Sequence, residues 1–260
     1  MASRVSSAAA AMAFFRVRLR AVGSPRRAAS AKAYLKSDLR FFGATLPQTR
    51  VVVAEFCRSH PDQTRADLRA IAEAAYATDV HELRSAGIGV LERRVSVLTD
   101  RDLGWLIALV RRSNSWAYVD WLALRVIGEI VARSPATLRS LPRWAKDESL
   151  WVRRTALLAQ HDALKAGNGD FVLFARLAGG MLEEREFFIR KAIGWVLREV
   201  SKKRPELTFA FLRDHPDRVS RLTLQEGAKY LSPAQRKALG LPPEAAHVAR
   251  ERRRIRAARL

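Results

Sequence analysis

Asp147-Glu-Ser-Leu-Trp-Val-Arg-Arg-Thr-Ala156 is the stretch whose reading decides the fold. An acidic lead-in precedes an apolar residue, Val152, then the basic pair Arg153-Arg154, then the small pair Thr155-Ala156. The same order returns as Leu83-Arg84-Ser85-Ala86 after Asp79 and Glu82, and as Ile189-Arg190-Lys191-Ala192 after Glu183 to Glu186. Between these units the apolar residues keep helical spacing: Leu103, Leu106, Ile107 and Val110, then Val119, Leu122, Val126 and Ile130. No stretch alternates long enough to make a strand. Pro61, Pro135, Pro142, Pro205, Pro216 and Pro233 fall between the periodic segments, where a helix starts or stops. Helices of about 10 to 18 residues with short connections follow.

A weak repeat in an all-helical chain implies stacked helix pairs, each burying its apolar face on the next. Acid, then Val-Arg, then alanine is how the second helix of a HEAT-type unit reads. The fold class expected is therefore all-α: a HEAT-like helical-repeat solenoid, an α-α superhelix, with a basic concave groove. A generic helical bundle is the alternative. Residues 1–12 are expected to be a disordered tail and 13–240 the domain. Residues 241–260 form a basic tail carrying Arg250-Glu-Arg-Arg-Arg-Ile-Arg256 and Arg259.

Lysine and arginine number 47 against 26 acids, a net charge of +21, which favours a polyanionic partner. Cys57 stands alone, so no intrachain disulfide or cysteine zinc site can form. The five histidines have no metal spacing, and no apolar run approaches the roughly 20 residues that span a bilayer. Neither a metal nor a membrane is expected. The first 30 residues hold six arginines and no acid, the composition of an organellar transit peptide. Met12 to Arg20 reads equally as the opening amphipathic helix, so targeting stays open.

Two pairs of side chains stand out. Trp116 and Asp120 lie one helical turn apart, and so do Trp195 and Arg198. A face meant only for packing would carry aliphatic residues there. If these four share a face with Arg154, the guanidinium groups suit phosphate oxygens and the indoles suit a sugar or a cationic base. Asp120 would be the one carboxylate among cations. That set fits cleavage of an N-glycosidic bond through an oxocarbenium-like transition state. No general acid is evident, which restricts the substrate to purines already cationic by N-alkylation. The competing reading is an Asp–Arg pair fixing adjacent helices, with both tryptophans in the core. Arg153, Lys191 and Lys36 are further candidates for DNA contact. Trp105, Trp121, Trp144 and Trp151 read as packing residues.

Tyr34-Leu-Lys-Ser37 with Phe42-Gly43 and Pro47, Ser115-Trp-Ala-Tyr-Val-Asp120, Leu150-Trp-Val-Arg-Arg-Thr-Ala156 and Phe188-Ile-Arg-Lys-Ala-Ile-Gly-Trp-Val-Leu-Arg-Glu199 occur in one order. Over roughly residues 15 to 231 this resembles the AlkD-like, HEAT-repeat DNA glycosylases of the DNA alkylation repair family. The resemblance implies a monomer gripping duplex DNA in a basic groove and excising N3- and N7-alkylpurines without metal or cofactor. It places the catalytic aspartate on Asp120, the paired tryptophans on Trp116 and Trp195, and the groove arginines on Arg154 (preferred over Arg153) and Arg198. It also implies that these groups embrace the sugar and phosphate of the lesion rather than enclose a flipped base. Family members often carry Trp-Asp or a second tryptophan beside the catalytic aspartate, whereas this chain has Ser115, Ala117 and Tyr118. A non-catalytic HEAT-repeat protein that reads branched or distorted DNA is the alternative. The location expected is the cytoplasm, on the nucleoid when DNA is bound.

Overall fold

A computed structural model describes residues 2–242, and within them there are helices, turns and one isolated bridge between Arg40 and Val80, with no strand. The basic run from Arg250 to Arg259 lies outside the described residues. Two compact units divide between Ile130 and Val131, where the sequence pattern predicts one continuous domain from 13 to 240.

The first unit opens with α1 (Ala2–Val22), α2 (Pro25–Leu35), α3 (Leu46–Ser59) and α4 (Arg65–Tyr76). It continues with α5 (His81–Arg93), α6 (Leu103–Ser113) and α7 (Trp116–Leu122). The disordered tail expected over residues 1–12 is instead helical from Ala2. Ala8, Ala11, Phe15 and Leu19 are buried along one stripe of that helix, and α1 packs on α3 and α4. The other helices start where side chains satisfy their first amides. Thr45 with Gln48 and Thr64 with Asp67 form reciprocal capping boxes at α3 and α4. Packing then proceeds pairwise, α4 on α5, α3 on α5, α5 on α7 and α6 on α7.

A π-helical turn, Ala123–Ile127, follows α7 directly and leads into α8 (Gly128–Arg133). Such single turns occur often at functional sites.

The second unit contains α9 (Leu141–Trp144), α10 (Leu150–Leu158), α11 (His161–Ala166) and α12 (Phe171–Gly179). After them come α13 (Phe187–Ser201), α14 (Pro205–Arg213), α15 (Arg221–Gly227) and α16 (Pro233–Ala238). Helix α13 is its axis, packed by α10, α11, α14 and α15. Gly194 lets α15 come close: a Cβ there would stand 2.7 Å from the Cβ of Glu226 and 3.2 Å from the backbone of Thr223. This approach sets Glu226 beside the basic face of α13.

Candidate DNA interface

Helix α7 starts sharply because Asn114 adopts the left-handed conformation (φ 45°) and the Ser115 hydroxyl accepts from the Ala117 amide. Two faces result. Tyr118, Val119, Trp121 and Leu122 are buried, while Trp116 and Asp120 are half-buried one turn apart on the other side. The Tyr34 ring, 73% exposed, stands edge-on to Trp116 at 5.9 Å between centroids. An aromatic surface open to a ligand therefore sits next to a carboxylate. Lys36 ends α2 in the left-handed region (φ 47°) and is exposed, so the quoted Tyr34-to-Ser37 stretch presents one ring and one cation.

Helix α5 supports this arrangement with its first turn. The buried Glu82 carboxylate accepts from the amides of Phe42 and Gly43, at 2.9 and 2.7 Å, and so clamps the α2–α3 connection. Gly43 is required there: its φ is 84° and a Cβ would collide with the Ser24 carbonyl. His81 stacks on Phe41 at 4.5 Å, and its Nδ1 lies 2.6 Å from the Tyr118 hydroxyl. Burial, aided by the Arg84 charge, lowers the His81 pKa to about 4, so the ring is neutral at pH 7. Burial also raises the Tyr118 phenol well above its usual range. Behind them Tyr76 and Ser113 share a buried hydrogen bond of 2.8 Å.

In the second unit, Lys191, Trp195 and Arg198 follow at helical spacing on α13, each partly exposed. Glu226 of α15 receives Lys191 Nζ on one oxygen and Arg198 on the other, both at 2.6 Å. Glu199 takes a second, longer contact from Arg198 at 3.4 Å and a bond from Lys202 at 3.0 Å. The Trp195 ring lies 4.8 Å from His161, whose Nδ1 pairs with Asp162 and whose buried Nε2 has no hydrogen-bond partner among the described residues.

The arginine doublet divides its tasks. Arg153 forms a fork with Glu184 and donates to the carbonyls of Asp147 and Glu148, at 2.8 and 2.9 Å. It braces the start of α10, which is not the phosphate contact expected for it. Arg154, the one preferred for phosphate, is 3% exposed, donates to the Phe188 carbonyl and places its guanidinium over the Phe188 ring, so it too is held inside the unit rather than presented to a phosphate.

Trp121 and Trp144 are buried as expected of packing residues. Trp105 and Trp151 are half-buried, the first donating to Glu73 and the second packed on Phe188. Trp116 and Trp195 are not core residues, which removes the reading that made them so. Glu226, Tyr34 and His81 escaped the sequence reading as site components because their partners are remote along the chain. Among the described residues no group of three or more His, Cys, Asp or Glu could hold a metal, and no helix is long and apolar enough to cross a membrane.

The family described as DNA alkylation repair enzyme matches the chain over residues 15–231. A predicted DNA alkylation repair enzyme from Enterococcus faecalis superposes with a TM-score of 0.74 at 26% identity, covering 81% of this chain and 97% of that one. AlkD2 from Streptococcus mutans gives 0.58 at 18% identity, over 72% and 91% of the two chains. The smu.31 protein of Streptococcus mutans UA159 gives 0.56 at 19% identity, over 72% and 93%. These last two bear on the fold alone, an all-α helical repeat. No curated protein sequence matches.

Proposed function

Because the chain belongs to the DNA alkylation repair enzyme family, and so acts on DNA in repair, we propose that it is a DNA glycosylase. Its substrate on this reading is an N3- or N7-alkylated purine in duplex DNA, and its product an abasic site. Alkylation gives the base a positive charge, so the electron pair of the C1′–N bond leaves with it and the released base is neutral. No general acid is then needed. Positive charge develops on the sugar as the bond breaks, and the Asp120 carboxylate stabilises it and orients the incoming water. The water oxygen bonds to C1′, and its proton passes to Asp120 or to solvent. Trp116 and Trp195 offer electron-rich faces to the cationic base or the sugar, with Arg198 toward phosphate. The protein acts as a monomer in the cytoplasm, on the nucleoid when it binds DNA, with no metal or organic cofactor.

The observation that carries this reading is the half-exposed Trp116–Asp120 pair, one turn apart on a capped helix. The deciding experiment is single-turnover release of 7-methylguanine and 3-methyladenine from methylated duplex, wild type beside Asp120→Asn. Release by the wild type alone supports the glycosylase and the part played by Asp120. DNA binding by both proteins with release by neither would make the chain a reader of DNA structure.

A further inference from the structure

Lys191, Trp195, Arg198 and Lys202 follow one another at helical spacing along α13 and its cap, all of them partly exposed. Two carboxylates lie among these cations. Glu199 is buried, has Lys202 at 3.0 Å and reaches Arg198 only at 3.4 Å. Glu226, from the neighbouring α15, bridges the other pair. One of its oxygens accepts from Lys191 Nζ and the other from Arg198 Nη1, each at 2.6 Å. Among the described residues Lys191 makes no other hydrogen bond, and Arg198 Nη2 makes none.

The backbone fixes where Glu226 stands. Gly194 lies between Lys191 and Arg198 on α13, and a Cβ on it would be 2.7 Å from the Cβ of Glu226. The glutamate side chain therefore starts over the gap between the two cations, and its carboxylate divides between them. A phosphate diester has the same two anionic oxygens on one atom, with about the span of a carboxylate, and ammonium and guanidinium groups bind it in the same manner. Glu226 thus fills the place that a backbone phosphate would take. Two cations against one carboxylate leave this triad a net charge of +1.

We propose that Glu226 is a specificity-determining residue, an internal stand-in for phosphate that competes with DNA for Lys191 and Arg198 and so holds down binding to duplex in general. The inference rests on the reading of Arg198 as a phosphate contact and does not need the glycosylase chemistry. Affinity for undamaged DNA comes from neutralised phosphates, each adding about 1 to the salt slope. A carboxylate that cancels one of two cations lowers this contribution for every sequence. Trp195 carries no charge and lies outside the exchange, so contacts peculiar to a lesion keep their full weight.

The test is binding of an unmodified duplex across a potassium chloride series, with the full chain as wild type, Glu226→Gln, Arg198→Ala and the double variant. Glu226→Gln should bind about 3- to 10-fold more tightly, with the salt slope steeper by about 1. The double variant should return to the wild-type slope, because one cation then again stands unopposed. A purely structural Glu226 predicts the reverse: α15 loosens, and Glu226→Gln binds more weakly at an unchanged slope. That result overturns the proposal, and so does no change at all. Glu226→Asp keeps the charge, but its shorter side chain starts from the same fixed point and cannot hold both cations as Glu226 does. It should show part of the tightening, about 2-fold, and it decides the matter if Glu226→Gln does not fold; wild-type affinity in Glu226→Asp overturns the placement of the carboxylate. An unaltered slope in Arg198→Ala removes the phosphate reading and this inference with it. A weakened Arg198→Ala beside an unchanged Glu226→Gln removes only the role of Glu226.

Discussion

Mild acid should weaken the first unit through His81, and the size of the effect follows from its surroundings. The ring is sandwiched between Phe41 and Tyr118, with the Arg84 charge nearby, so its pKa falls from 6.5 to about 4. Between those values the unfolded chain binds a proton at this position and the native chain does not. Stability therefore rises with pH across that window. The contribution is complete above pH 6.5 and is lost as the pH falls toward 4. The full shift is worth about 3 kcal/mol, of which about 2 kcal/mol is lost between pH 7 and pH 5. Carboxylates whose pKa is lowered, such as Glu73 and Glu199, start below the ordinary range and contribute mainly under pH 5.

Urea unfolding followed by helical circular dichroism, at pH 7 and pH 5 and constant salt, measures this. The comparison protein is His81→Gln, whose amide can pair with the Tyr118 hydroxyl in either direction but does not titrate. It should be about 1 kcal/mol less stable at pH 7 and nearly flat between the two pH values. Parallel losses in both proteins would refute the assignment of the acid sensitivity to His81.

Two further outcomes follow from the clamps. Glu82→Gln replaces one of two amide acceptors with a donor facing a donor, which should cost about 2 kcal/mol and speed hydrogen exchange at Phe42 or Gly43; unchanged exchange at both amides would dissolve the clamp. Arg198→Ala should weaken DNA binding and reduce its salt slope by about 1, and an unaltered slope would place Arg198 away from phosphate.

What was legible in the sequence was local. Helix positions followed from apolar spacing and from prolines such as Pro205 and Pro233, which open α14 and α16. Trp116 with Asp120, and Trp195 with Arg198, could be placed on shared faces because one helical turn fixes that relation. The opening helix was read only from Met12, although it starts at Ala2 and its buried stripe runs through Ala8, Ala11, Phe15 and Leu19. Alanine gives a weak hydrophobic signal, and its burial shows only once α3 and α4 supply the opposing surface. Partnerships between distant segments left no trace in periodicity. Nothing in the doublet Arg153-Arg154 showed that Glu184 would engage the first, and nothing at Glu226 showed that it would hold both Lys191 and Arg198.

The residues beside Asp120 show how α7 is supported. Tyr118, two residues before the aspartate, points to the opposite side and is 1% exposed, so it does not belong to the surface a ligand would meet. Its hydroxyl is fixed by His81 at the first turn of α5, and the Trp121 indole N–H is fixed by Glu92 at the last. Both polar tips on the inner face of α7 are thus tied to opposite ends of one neighbouring helix. A rotation of α7 that moved Asp120 or Trp116 would have to break both bonds and open a packed core. Tyr118 and Trp121 therefore act on the rigidity of the helix, which holds Trp116 and Asp120 one turn apart as the proposed chemistry requires.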